Sequence, residues 1–234
     1  MTYSSRLASD IKTNIDAAMD YFLDNELTIS SNPTVVNQNG ANCYSISWKS
    51  NPELGYLLKN TMNIDGATSI ECYRAILDRR DYNVLISDGS LIQIAYKIKD
   101  EEVVWHRLCF FPCPIVFDKT DTIENNISTM FDYFDPKYYL KNIKMVTPIR
   151  FDYDINLSNK VHPTSHMTIL KDSCRLPVFG PMSIGHFIKF IIQNFYSDNI
   201  SFEKSEFEIP ILLWKRSFTP SYRNQLFLES STKC

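Results

Sequence analysis

Glycine is scarce in this sequence, with only six among 234 residues. The few glycines form neither of the motifs that cradle nucleotide phosphates, G-x-x-x-x-G-K-[ST] and G-x-G-x-x-G. The G-x-S-x-G turn of α/β-hydrolases and the H-E-x-x-H helix of zinc proteases are also absent from the sequence. The common catalytic templates are therefore excluded as a basis for assigning a reaction.

Long apolar runs and blocks of one charge are missing too. No stretch approaches the roughly 18 apolar residues of a membrane span, and the N-terminus lacks the continuous apolar region of a signal peptide. The 24 basic and 27 acidic residues give a net charge of −3, without a basic run that would favour nonspecific nucleic-acid binding. We therefore predict a cytoplasmic protein with no membrane contact.

The six cysteines are scattered along a chain that is too long to need a disulfide framework, so we predict reduced thiols. His106, Cys109 and Cys113 form H-x2-C-x3-C, which could supply three zinc ligands. The same residues fit a strand, VVWHRLCFF, whose side chains alternate between two faces. Because no second pair of ligands follows, the strand is the favoured interpretation. The cofactor stays unknown, and no motif requires a divalent metal.

The apolar residues repeat with two different periods, which predicts a mixed fold. Spacings of three and four residues predict helices over about 4 to 25, 67 to 80 and 183 to 196, the last with Ser183 as N-cap. A shorter helix is predicted from Thr122 to Phe134.

Period-two alternation predicts the strands. It indicates a hairpin around Asn39-Gly40, a three-stranded meander from Tyr82 to Phe111, and strands at 145 to 155, 164 to 170 and 207 to 218. The fold class predicted for 1 to 234 is therefore α+β, with a predominantly antiparallel sheet, packed helices, a single domain and a flexible tail from about residue 230.

A stretch rich in reactive side chains, HPTSHMTILKDSCRLPVFGP, begins at His162. If the strands on either side of the preceding polar loop are antiparallel neighbours, residues whose numbers sum to about 320 face each other. Asp154 would then face His166, and Asp152 would face Thr168. A carboxylate beside an imidazole fixes its tautomer and raises its basicity, as a general base or metal ligand requires.

Other groups of this stretch would complete a site for an anion. Arg175 could clamp a phosphate through two hydrogen bonds, and the helix N-terminus near Ser183 offers free N–H donors. The same groups could instead brace a core, with histidine bonded to aspartate and arginine tying a proline-rich turn. The candidate site comprises the catalytic residues His162, His166 and Asp154 and the binding residues Arg175, Ser165 and Thr164.

Several short motifs lie between residues 80 and 196. They are DGSLIQIAYK, HRLCFFPCP, HPxSH from His162, CRxPV from Cys174, Pro181, and the helix ending FIIQNFY. This series resembles a bacterial family catalogued as a domain of unknown function. The resemblance implies no residue roles. It implies a context of mobile, host-conflict genes, and hence a role in antiviral defence or with a toxin.

Besides a structural subunit whose loop shapes an oligomer contact, two functions remain open. The first is a bacterial accessory or recognition protein that acts through a protein partner, a second copy of itself or a nucleic acid, since abundant aromatic residues favour interfaces when exposed. The second is a phosphodiesterase or nuclease-type hydrolase. In it, Asp154 orients His166 as general base, His162 serves as acid or metal ligand, and Arg175 steadies the phosphate.

Overall fold

The structure is a computed structural model that describes residues 5–48, 69–116, 143–144, 146–157, 163–169 and 174–197. These residues form three helices and nine strands. The helices are α1 (Arg6–Asp24), α2 (Ser69–Asp78) and α3 (Ile184–Phe195). The strands are β1 (Thr28–Ser31), β2 (Val35–Gln38), β3 (Cys43–Ser47), β4 (Val84–Ile86), β5 (Leu91–Lys99), β6 (Glu102–Phe111), β7 (Ile149–Asp154), β8 (Ser165–Ile169) and β9 (Arg175–Pro177).

The predicted α+β class is confirmed, because the nine strands form one sheet in which each pair is antiparallel. The three predicted long helices are present, each slightly shorter than its apolar pattern. The predicted helix at 122 to 134, the strand at 207 to 218 and the tail from about 230 lie outside the described residues, and the single domain stays a prediction. Among the described helices, none is long and apolar enough to span a membrane.

Strand β5 is the branching point of the sheet. The strand order is β1-β4-β5-β6-β7-β8-β9, and the β2-β3 hairpin joins the same edge of β5 as β4 does. Nine residues give β5 room for both neighbours, because β4 pairs with Leu91 and Ile92 while β3 pairs with residues 96 to 99. The opposite edge of β5 pairs with β6 along its whole length.

Residues with positive φ make the tight turns. Asp100 and Glu101 connect β5 to β6 with φ of 51° and 59°, the conformation of a two-residue type I′ hairpin. Gly40 lies in the predicted β2-β3 turn with φ of 131°, and Gly89 lies in the β4-β5 turn with φ of 84°. Asp88 accepts a hydrogen bond from the backbone N–H of Ser90 at 2.9 Å in that second turn.

The main core lies between one face of the sheet and helices α1 and α3. Their apolar stripes pack against alternate strand residues, for example Phe151 against Phe187 with ring centroids 6.1 Å apart. A smaller core lies on the opposite face, where Tyr73 of α2 packs against Phe111. The opposite face is therefore apolar near β4 and α2, whereas its continuation over β6 to β9 is polar.

A network of hydrogen bonds holds the start of α3 on the main-core face. Met182, just before the helix, donates its N–H to Nε2 of His106 at 2.9 Å and accepts from the Tyr96 hydroxyl at 2.8 Å. Ser165 donates to the carbonyl of Gly180 at 2.7 Å. Ser183 caps the helix as predicted, because its hydroxyl accepts from the N–H of His186. Some of the polar residues after residue 162 therefore have a structural role, because they hold the start of α3 in place.

Met182 also determines the protonation of His106. Because Nε2 accepts a hydrogen bond, the neutral ring carries its proton on Nδ1. Burial lowers the pKa of His106 from 6.5 to about 3, and the charge of Asp152 opposes this only in part. The imidazole therefore stays neutral between Tyr96 and Tyr153, whose rings lie 5.3 and 5.7 Å away.

We expect Gly89→Ala to lower the free energy of unfolding by about 1–3 kcal/mol. An alanine would be strained at the positive φ of this position, and its Cβ would approach neighbouring side chains too closely. A Cβ at this position would lie 2.9 Å from Sγ of Cys113 and 3.3 Å from the Tyr73 hydroxyl. The control is Gly89→Ala in a Cys113→Ala background, because Sγ of Cys113 is the atom that a Cβ at position 89 would approach most closely. Urea unfolding should show a smaller loss for Gly89→Ala in that background than in the wild-type chain, and equal losses would contradict the close approach at Gly89.

The free energy of unfolding should fall as pH falls from about 6.5, because the unfolded chain takes up a proton that buried His106 refuses until about pH 3. One such proton contributes a slope of at most about 1.4 kcal/mol per pH unit. His106→Gln keeps an acceptor for Met182 but cannot titrate, so its urea midpoint should change less between about pH 7 and pH 5. The half-buried His186 provides the control His186→Gln, which should keep most of the dependence. An unchanged slope in His106→Gln would contradict this assignment.

Candidate functional site

The sheet face turned away from α1 and α3 carries charged side chains over its second half. Cross-strand partners point to the same face of a sheet, as do residues two apart along one strand. Three adjacent rows of partners on β5 to β9 therefore share this surface, called the polar face below. The first row contains Lys97, Trp105 and Asp154, the second Arg107, Asp152 and His166, and the third Arg150, Thr168 and Arg175.

Asp152 is the centre of the polar face. Its Oδ1 accepts a hydrogen bond from Nε of Arg107 on β6 at 2.6 Å, and its Oδ2 accepts from Nε of Arg150 on its own strand at 2.5 Å. The three residues are 8%, 9% and 7% exposed. A buried carboxylate is thus shared between two buried guanidinium groups.

The charge state of Asp152 follows from a competition. Burial acts to raise the pKa of this carboxyl, but the charges of Arg107, Arg150 and His166 outweigh burial and lower the pKa to about 2. Asp152 is therefore ionised near neutral pH. A carboxylate held this strongly by two arginines is a poor proton acceptor for catalysis.

His166 lies beside Asp152 on the next strand. Its Nδ1 is 2.9 Å from the carbonyl of Pro163, and because a carbonyl can only accept, Nδ1 carries a proton. Its Nε2 is 3.7 Å from Oδ2 of Asp152, and the residue is 2% exposed. The ring is therefore oriented by its backbone contact and enclosed next to the ion pair.

The third row contains polar groups without partners. Thr168 on β8 lies between Arg150 on β7 and Arg175 on β9. Within the described part of the chain, the Thr168 hydroxyl and Nε of Arg175 are buried and make no hydrogen bond. A buried polar atom without a partner loses its hydration and gains no hydrogen bond, which destabilises the fold by about 1–3 kcal/mol. Such atoms next to one another indicate a place where a ligand could bind.

The polar face carries more positive than negative charge. Lys97 and Asp154 balance each other in the first row. The second and third rows hold three arginines against the single carboxylate of Asp152, an excess of two positive charges before His166 is considered. Guanidinium groups prefer planar, two-pronged contacts with phosphate or carboxylate oxygens. Among the described residues, this surface is thus suited to an anion.

The predicted pairing of Asp154 with His166 is wrong by two residues. The observed partner of His166 is Asp152, and Thr168 pairs with Arg150 rather than with Asp152. Asp154 still belongs to the polar face but pairs with Trp105, and its Oδ1 accepts from the N–H of Asn156 at 2.9 Å. The register is shifted by two residues, and residues two apart on a strand point to the same face. The face was therefore predicted correctly while the partner was not.

The other predicted site residues separate. Arg175 lies on the polar face, one row from His166, as expected. Ser165 points to the main-core face, where it holds Gly180, so it does not join His166. Thr164 is buried and its carbonyl accepts from the N–H of Asp154. His162 lies outside the described residues.

The α3 N-terminus is also on the wrong face for the expected anion site. Met182, which precedes it, contacts Tyr96 and His106, and both of these alternate with polar-face residues along β5 and β6. The same alternation separates His106 from Cys109, so the H-x2-C-x3-C motif is a strand with two faces, as favoured. Within the described ranges, no group of three His, Cys, Asp or Glu side chains could hold a metal ion.

The sequence interpretation missed Arg107, Arg150 and Asp152 as a cluster. A signal was available, because each is a charged residue inside an apolar strand and the last two have the same parity. What it lacked was the alignment of β6 with β7, which puts Arg107 opposite Asp152. No local pattern specifies that alignment.

Comparison with known proteins identifies a family. The family model described as "Uncharacterized conserved protein (DUF2290)" matches residues 27–230. No curated protein and no solved structure matches the chain. The match covers all of the polar face, and its description assigns no activity to it.

We expect Asp152→Asn to lower the free energy of unfolding by about 3–5 kcal/mol, because it removes the negative charge that the buried guanidinium groups of Arg107 and Arg150 share. The matched control is Asp154→Asn on the same strand and face, which keeps an acceptor for Asn156 and should change stability by less than about 0.5 kcal/mol. Urea unfolding near neutral pH measures both. Similar losses in the two variants would contradict the central role of Asp152.

Proposed function

The chain belongs to the uncharacterised conserved family DUF2290, and we propose that it is a recognition protein that binds a phosphate-bearing ligand on its polar face. The observation that carries this proposal is the third row. There the buried Thr168 hydroxyl and Nε of Arg175 have no hydrogen-bond partner among the described residues, beside two arginines that share one carboxylate.

The chemistry of these groups favours an oxyanion with several acceptor atoms. A hydroxyl donates one hydrogen bond, and a guanidinium donates several in a planar fork. Phosphate can accept from both at once, and its charge would offset the excess positive charge of the arginines. A neutral ligand would satisfy the hydrogen bonds but would bring no negative charge to these arginines.

Recognition is a better fit to this geometry than turnover. A general base must reach the proton that it removes, whereas His166 is enclosed, its Nδ1 is committed to Pro163 and its Nε2 faces Asp152. Asp152 is held ionised by two arginines, which supports a fixed electrostatic role. A macromolecular partner remains a proposal that rests on the abundant aromatic residues, and a place in antiviral defence or with a toxin remains a proposal that rests on the family resemblance.

Binding of inorganic phosphate and ribose 5-phosphate to the full chain, measured by calorimetry, tests the proposal. Arg175→Gln should weaken binding roughly 10- to 100-fold, since a hydrogen bond to a charged group is worth about 1.5–3 kcal/mol. The control Arg6→Gln removes an arginine that is 92% exposed on α1 and should leave the affinity unchanged. If no phosphate-bearing probe binds the wild-type chain, or if both variants bind equally well, the proposal fails.

Phosphodiester hydrolysis is the second candidate, and one observation favours it. His166 is an oriented imidazole one row away from Arg175 and Thr168, so a bound phosphate would lie near a nitrogen base. Release of nitrophenol from bis(p-nitrophenyl) phosphate, with and without added Mg²⁺ or Mn²⁺, measures this activity. Turnover that His166→Gln abolishes while phosphate still binds would replace recognition with hydrolysis.

A further inference from the structure

An indole borders the arginines on the polar face. Trp105 lies two residues before Arg107 on β6, so the two side chains share the face about 6.8 Å apart along the strand. The guanidinium carbon of Arg107 is 6.0 Å from the centroid of the Trp105 ring, and Nζ of Lys97 is 5.2 Å from it. Trp105 is only half-buried. A half-buried aromatic ring thus adjoins the guanidinium that binds Asp152.

A second indole adds a hydrogen-bond donor. Trp48, which follows β3, packs with Ala95 and Trp105 in a small cluster on this face. It is 4% exposed, and its Nε1 is buried without a hydrogen-bond partner among the described residues. Buried indole N–H groups ordinarily have a partner. The polar face therefore has a buried donor that a ligand could satisfy next to the first row as well as in the third.

The two ends of the polar face offer different chemistry. Arg107, Arg150 and Arg175 suit a phosphate, while Trp105 supplies an aromatic ring over which the flexible Lys97 side chain and the Arg107 guanidinium lie. Aromatic rings beside basic side chains are the groups on which proteins stack nucleobases. A nucleotide combines a phosphate with a planar aromatic base that can stack on an indole ring.

Burial and charge restrict the size of the ligand. Arg107 and Arg150 are less than one-tenth exposed, which suits a terminal phosphate and excludes the backbone of a long duplex that passes over a surface. The whole chain carries a net charge of −3, which opposes nonspecific attraction to nucleic acid. The burial of these arginines and the negative net charge of the chain therefore favour a small ligand.

We propose that the ligand of the polar face is a nucleotide, with its phosphate at the arginines and its base stacked on Trp105. This inference rests on the proposed phosphate recognition and specifies its ligand class. Trp48 would donate from Nε1 to an oxygen or nitrogen of the same molecule. Neither indole belongs to the set of residues that binds the phosphate, so the two halves of the inference can be tested separately.

Calorimetry on the full chain should compare the four ribonucleoside 5′-monophosphates with ribose 5-phosphate, which has the phosphate but no base. At least one nucleotide should bind roughly 10-fold or more tightly than ribose 5-phosphate, the range expected for base stacking. Trp105→Leu should remove that difference and leave ribose 5-phosphate binding unchanged. Trp105→Phe keeps an aromatic face and should retain most of the difference, which controls for folding. Arg175→Gln should weaken every probe alike.

The outcomes separate the two proposals. If ribose 5-phosphate binds as tightly as each nucleotide, the base has no site and the nucleotide inference is overturned, while phosphate recognition stands. A preference for nucleotides that persists in Trp105→Leu would overturn the assignment to this indole. If none of the probes binds, both proposals fall. Tighter binding of long single-stranded RNA than of all mononucleotides would overturn the small-ligand inference.

Discussion

The shared carboxylate of Asp152 is the interaction on which the second half of the sheet depends. A single buried charge would be very costly, and here Arg107 from the neighbouring strand and Arg150 from the same strand compensate it. A slip of one residue between β6 and β7 would turn Arg107 to the helix-covered face and leave the carboxylate with one partner fewer. The ion pair therefore penalises wrong registers that apolar alternation alone would tolerate.

The polar face around Asp152 also contains polar groups that are not satisfied within the described structure. Three arginines and one aspartate do not balance, and the Thr168 hydroxyl and Nε of Arg175 are buried without partners in the described structure. A protein selected only for stability would replace such groups by apolar residues. Buried polar groups without partners are concentrated at functional sites. The third row is therefore stronger evidence for a binding site than the ion pair is.

The stretch after residue 162 combines architecture and chemistry because neighbouring strand residues face opposite ways. Ser165 points to the main core and holds the loop before α3 through Gly180, while His166 points to the polar face beside Asp152. Two adjacent residues in one motif thus have unrelated roles. The density of polar side chains in this stretch therefore reflects two opposite faces of the sheet, each with its own set of contacts.

The amino-acid sequence by itself determined the α+β class, the three long helices, the hairpin turns and the common face of Asp152 and Asp154 on β7. Those features depend on apolar periods and on turn residues that act over a few positions. The pairing of Asp152 with His166, the approach of Arg107 and the separation of Ser183 from the arginines were decided only by the tertiary structure. The physical reason is that strand register and the docking of α3 depend on the fit of surfaces distant in the chain, so an alternation that specifies a face leaves the partner undetermined.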